Sequence, residues 1–201
     1  AGAAKILEFL SWCDGLDIPL VTVWMLSTDN LRRPPEELTA LYGIIGDTIG
    51  RIIEAGYCVR LTGNAEALPE SMREGIARAQ ERTSLESGLT VNVAIGYGGR
   101  EEIVDAVQEL VRDLAAQGLD GEGIAAGISV ESVAEHLYTR GQPDPDLIIR
   151  TSGEQRLSGF LLWQSVHSEY WFCETYWPGF RRVDLLRALR DFCRRERRFG
   201  A

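Results

Sequence analysis

Apolar runs of strand type alternate with helical patterns along almost the whole chain. PLVTVWML at 19–26, YCVRLTG at 57–63, LTVNVAIGYGG at 89–99, DLIIR at 146–150 and EYWFCET at 169–175 read as strands, four of them rich in β-branched residues. Helical patterns lie between and around them at 2–15, 35–55, 69–86, 100–117, 129–138 and 183–196, and some carry start signals such as Pro35, Glu36 and Glu37. This alternation predicts an α/β fold, a mostly parallel sheet flanked by helices on both faces. Ligands bind beyond the carboxyl ends of strands in such sheets, so strand-to-helix junctions are where chemistry is expected.

With 201 residues and 45% hydrophobic composition the chain can bury one sizeable core. It has no repeat and no low-complexity linker, so a single domain over 1–201 is expected. No apolar run approaches the roughly 20 residues that span a bilayer, and no basic-then-apolar leader opens the chain. Cys13, Cys58, Cys173 and Cys193 are scattered, with only His136 and His167 as further soft ligands. A reduced, cytoplasmic protein without structural zinc is the expectation. The chain opens at Ala1 directly in a helical pattern. A segment upstream is therefore expected, with processing as the alternative.

The formal charge of −9 argues against a nucleic-acid partner, which needs a broad basic field. Lys5 is the only lysine, so arginine carries nearly all the positive charge. Codon usage accounts for most of these arginines, and spacing must single out the rest. Arg150 and Arg156 stand in Arg150-Thr151-Ser152-Gly153-Glu154-Gln155-Arg156-Leu157-Ser158, immediately after the strand DLII. Two guanidiniums, serine hydroxyls and the open backbone of Gly153 at a strand's carboxyl end suit a diphosphate cradle. The alternative is a solvated turn in which Glu154 pairs with an arginine.

The run RTSGEQRLSGFLLWQ, followed by SEYWF and WPGF, resembles the signature region of the cis-prenyltransferases, the undecaprenyl diphosphate synthase family. The resemblance extends to LSTDNLRRPPEEL at 26–38, NVAIGYGGREEI at 92–103 and RERRFG at 195–200. It implies an enzyme that condenses isopentenyl diphosphate with an allylic diphosphate using Mg²⁺. It further implies that Arg150, Arg156 and Ser158 hold the isopentenyl diphosphate and that Glu169 is a magnesium ligand. Ser27, Asn30 and Arg33 match the family's Ser-x-x-Asn-Trp-x-Arg-Pro motif, which positions the allylic substrate and assists the proton step; Leu31 replaces its tryptophan. Taken alone, that stretch is an ordinary turn into a helix.

Family members resembling this chain are homodimers, and their Arg-x-Gly ending makes Arg198 and Gly200 expected site residues near the dimer interface. The family's first strand ends in an Asp-Gly-Asn-Gly-Arg-Trp type loop that no part of this sequence matches, so that strand and its aspartate are expected upstream of residue 1. A non-catalytic partner subunit is the rival that this lack favours and that Arg150, Arg156, Ser158 and Glu169 disfavour. A nucleotide-binding module would need G-x-G-x-x-G, which the glycines at 96–99 do not supply; they read instead as a tight turn. Trp163, Trp171 and Trp177 read as packing aromatics and His167 as a packed histidine. Met25, two before Ser27, stands where long-chain relatives carry alanine. A filled tunnel there implies a short product, fifteen-carbon Z,E-farnesyl diphosphate made from geranyl diphosphate, rather than a longer polyprenyl chain; a membrane contact is expected only if the product is long.

Overall fold

The computed structural model describes residues 2–82 and 88–195. Strand β1 is Leu20–Ser27, β2 is Cys58–Thr62 and β3 is Thr90–Tyr97. β3 lies between the other two and pairs with both in parallel. Every residue of β3 from Val91 to Tyr97 is buried. A strand covered on both faces cannot expose a polar side, which explains its near-continuous apolar run.

Val91, Val93 and Ile95 enter the main core with helices α1 (Gly2–Asp14), α2 (Pro35–Glu54) and α3 (Glu70–Arg82), through residues such as Leu10, Ile49 and Ile76. Ala94 and Tyr97 enter a second cluster with Trp24, Tyr138, Phe160 and Leu161. The remaining polar side chain of β3 is matched rather than exposed. Asn92 exchanges two amide hydrogen bonds with Gln142, at 2.6 and 3.1 Å. Unpaired, the same amide would carry the full desolvation penalty.

Helix α4 (Gly99–Ala116) follows β3 and packs Ala106 and Leu110 against Val133 of α6 (Val130–Ala134). Between them lies α5 (Gly121–Gly127). Strands β4 (Leu147–Arg150) and β5 (Glu169–Phe172) form a separate parallel pair. Helix α7 (Arg182–Arg194) returns Leu185 and Leu189 to the main core. Its start is fixed by Asp184, whose carboxylate accepts from the Arg181 backbone N–H at 3.1 Å and from the guanidiniums of Arg181 and Arg187. These bonds hold the Asp184 carboxyl below the usual carboxylate range.

The expected strands all form, and the pairing is parallel throughout. Three local expectations need correction. The last strand stops at Phe172 instead of reaching residue 175, although Cys173 N–H still donates to Arg150 O at 2.8 Å. The helix expected at 129–138 is confined to Val130–Ala134, and the turns after it present the Tyr138 N–H to Glu102. Helix α5 was not expected, because glycine at 121, 123 and 127 depresses helix propensity; Asp120 compensates by capping the Gly123 N–H at 2.9 Å.

A cavity of about 640 Å³ lies between β1 and β4. Consecutive residues of both strands line it, Leu20 to Trp24 on one side and Asp146 to Arg150 on the other. Alternate side chains of a strand point to opposite faces, so consecutive lining means that the strand edges border this space. Two buried polar atoms without a partner among the described residues, Trp24 Nε1 and Gln164 Oε1, belong to residues that line it. All four cysteines are free, and no helix among the described residues is long and apolar enough to cross a membrane.

Candidate active site

The carboxyl end of β1 is irregular. Trp24 pairs with Ala94, but the next partners are Leu26 with Ile95 and then Ser27 with Tyr97. β1 therefore carries an extra residue at Met25, and β3 takes up the slip at Gly96, whose φ is +60°. Such bulges re-aim side chains at a strand's end. Met25 packs against the main core, and Leu31 joins the same cluster.

Beyond the bulge, segment 27–33 folds back on itself. Ser27 Oγ accepts from the Asn30 N–H at 3.2 Å, and Asn30 Oδ1 accepts from Arg33 Nε at 3.1 Å. The three residues singled out in the sequence are thus held together by one another. Arg33 also reaches Glu37 at 3.5 Å on the first turn of α2. The Thr28 N–H donates to Tyr97 O at 3.1 Å, which anchors the segment to the end of β3.

Arg150 ends β4, and its Nη1 donates across the loop to Ser158 Oγ at 2.9 Å and to the Arg156 carbonyl. Ser152, Gly153, Ser158, Gly159 and Leu161 all have positive φ. Such backbone is unfavourable for the non-glycine residues and survives only where its surroundings hold it. The holding bonds run from Ser152 N–H to Thr175 O, Gly153 N–H to Cys173 O and Gly99 N–H to Gly159 O, at 3.0, 2.9 and 2.8 Å. A Cβ on Gly99 would lie 2.6 Å from Gly159 O, so this approach requires glycine. Arg156 pairs with Glu154, as the alternative reading of the loop had it. That pair is exposed, with the Arg156 side chain 66% accessible, so an anionic ligand can compete for the guanidinium.

Glu169 is placed elsewhere. It begins β5 opposite Leu147, whereas Arg150 lies opposite Phe172. Three residues of strand, about 10 Å, separate it from the loop within one chain. Its carboxylate accepts from Arg195, which also donates to Tyr170 O at 3.2 Å. Arg198 and Gly200 lie outside the described residues. Trp171 and Trp177 pack on the main core, and Trp163 packs beside α4, in agreement with their reading as packing aromatics.

One group at this end of the sheet escaped the sequence reading. Glu102, fully buried in the first turn of α4, accepts from Tyr97 OH at 2.5 Å and from Gln164 Nε2 and the Tyr138 N–H at 3.0 Å each. Burial pushes its pKa up, and those three donors oppose the shift. In sequence it looks like its exposed neighbour Glu101. The one available signal is that it sits at the first turn beside Gly98 and Gly99, where another backbone approaches.

An α/β protein with arginine, serine and open backbone gathered beyond the strand ends is of the kind that holds phosphate esters. The chain belongs to the prenyltransferase family described as "Putative undecaprenyl diphosphate synthase", which matches residues 1–200, and it is an enzyme that transfers prenyl groups. It is 56% identical over 200 residues to a (2Z,6E)-farnesyl diphosphate synthase of Thermobifida fusca, covering 100% of this chain and 79% of that one. Isoprenyl transferase 1 of Corynebacterium diphtheriae is 55% identical over 201 residues, covering 99% and 76%. The fold is similar to the crystal structure of lavandulyl diphosphate synthase from Lavandula x intermedia in complex with dimethylallyl diphosphate, with a TM-score of 0.89, 31% identity and coverage of 100% and 86%.

Replacing Arg150 or Arg156 with alanine should raise the KM for isopentenyl diphosphate, each by about 1.5–3 kcal/mol of lost binding, the scale of hydrogen bonds to charged groups. The change at Arg150 should also loosen the loop. An unchanged KM in both variants removes them from the site.

Proposed function

We propose that this enzyme condenses isopentenyl diphosphate with geranyl diphosphate, forms a cis double bond and releases Z,E-farnesyl diphosphate. The observation that carries this reading is the reach of Arg150 to Ser158, beside a segment where Ser27, Asn30 and Arg33 are bonded to one another. The names of the relatives agree with it. In the reaction an allylic carbon–oxygen bond breaks as the isopentenyl double bond attacks, and negative charge grows on the departing diphosphate. Arg150, Arg156 and Ser158 hold the isopentenyl diphosphate in place. Arg33 and Asn30 orient the allylic diphosphate, with Ser27 beside them for the proton that is lost. Fixed donors of this kind need no reorganisation as charge develops.

Magnesium is the cation implied by this chemistry. It binds through one or two carboxylates together with substrate phosphates, so the absence of a three-ligand cluster among the described residues does not disqualify the site. Glu169 is a fitting hard donor once Arg195 is exchanged for the dication. When bound, magnesium would supply charge neutralisation at the leaving diphosphate.

The cavity between β1 and β4 supports the expectation of one further parallel strand in this domain. An extended segment there would pair with both bare edges and join the two sheets, and its carboxyl end would emerge beside Ser27 and Arg150. The full-length gene product is therefore the protein in which to measure the reaction. A homodimer is supported by an apolar surface at Phe172, Tyr176, Val183 and Leu186, all exposed around β5 and α7. Light scattering should give twice the chain mass, and a charged residue at Leu186 should shift it toward the monomer.

Two experiments test the reaction. With geranyl and isopentenyl diphosphates, product analysis should show a fifteen-carbon Z,E product, and Met25→Ala should extend it by opening volume at the bulge. An unchanged distribution would show that Met25 does not set the length, and no condensation at all would favour a non-catalytic subunit. Glu169→Gln should keep the fold and raise the magnesium required for turnover, because a neutral amide is a poorer ligand for a hard dication. A titration that superimposes on the parent's excludes Glu169 as a ligand.

A further inference from the structure

Tyr97 is fully buried at the end of β3 and touches both segments assigned to substrate. Its carbonyl accepts from the Thr28 N–H at 3.1 Å, at the root of segment 27–33. Its hydroxyl accepts from the Leu161 N–H at 3.1 Å, three residues after Ser158. The same hydroxyl donates to Glu102 at 2.5 Å, and Glu102 is fixed in turn by Gln164 and the Tyr138 N–H. Edge contacts with the rings of Trp24, Tyr138 and Phe160, with centroids 6.0 to 6.3 Å apart, pack the tyrosine on three sides. Ser158 and Leu161 meanwhile hold φ values of +52° and +46°, which a free turn of non-glycine residues would abandon.

We propose that Tyr97 is a positioning residue for isopentenyl diphosphate: its hydroxyl, oriented by Glu102, holds turn 157–161 so that Ser158 stays within reach of Arg150. This rests on the assignment of Arg150 and Ser158 to that substrate. One ring length then sets the spacing between the two substrate segments, because the backbone of Tyr97 carries one and its hydroxyl the other. Glu102 contacts no substrate in this scheme. Its carboxylate selects the direction of the Tyr97 O–H and so leaves a lone pair for Leu161.

Calorimetric titration of the full-length gene product with isopentenyl diphosphate alone tests this, with a second titration using an allylic diphosphate. Tyr97→Phe keeps the ring and removes only the hydroxyl, and it should weaken isopentenyl diphosphate binding by about tenfold while allylic binding stays within about twofold. Tyr138→Phe is the matched control. It keeps the ring in its cluster and deletes a half-buried hydroxyl bonded to Asp105 of α4 and not to turn 157–161, so it should lower the melting temperature and leave isopentenyl diphosphate binding unchanged. Glu102→Gln retains the side-chain shape and should shift binding in the same direction as Tyr97→Phe, but less. Parent-like binding by Tyr97→Phe, or by Glu102→Gln should the first variant not fold, overturns the proposal. So does a loss in Tyr138→Phe that matches the one in Tyr97→Phe. A parent protein that binds no isopentenyl diphosphate overturns instead the substrate assignment beneath it.

Discussion

Burying a carboxylate costs several kcal/mol unless donors replace the water it gives up. Glu102 meets that condition with three donors from three different stretches of chain: the end of β3, the turn after α6 and the stretch after Ser158. A group that must be satisfied from three directions allows those stretches few other arrangements. The glycines beside it serve the same constraint. Gly99 has to be small so that the backbone at Gly159 can approach, and the approach brings Leu161 to the Tyr97 hydroxyl. The loop from Arg150 to Ser158 thus inherits its place from a carboxyl group that never meets solvent.

The bulge of β1 is the second determinant. The extra residue at Met25 shifts Leu26 alone onto Ile95, and the register is restored where Ser27 meets Tyr97, so the irregularity is confined to the end of the strand before segment 27–33. Gly96 takes up the slip on the neighbouring strand by adopting a φ of +60°, with Leu31 and Leu68 packed over it. Leu31, where tryptophan stands in the family pattern, therefore contributes to the packing that supports the bulge.

The strands were legible because a buried parallel sheet demands long apolar, β-branched runs, and most helices because their apolar positions recur at helical spacing. Arg150 and Ser158 were legible together because both fall in one short run directly after the strand DLII and because that run resembles the family's signature region. The position of Glu169 was not. Its distance from Arg150 depends on the register between β4 and β5, which packing decides and local sequence does not. Glu101 and Glu102 are likewise indistinguishable by type, and only the phase of α4 sends one outward and the other inward. Helix α5 was hidden by its glycines, since its cap at Asp120 is a single-residue signal.

The division of the strands into two ladders has a thermodynamic side. Hydrogen-bonded pairing makes β1, β3 and β2 one ladder and β4 with β5 another, and among the described residues no strand of one pairs with a strand of the other; the bond from the Gly99 N–H to Gly159 O links them beyond the strand ends. Units of this kind can open with their own free energies. Segment 27–33 belongs to one unit and Arg150 to the other. A ligand that bridges them adds its binding energy to the coupling between the units, and the working geometry of the pair is then a property of the liganded protein more than of either ladder alone.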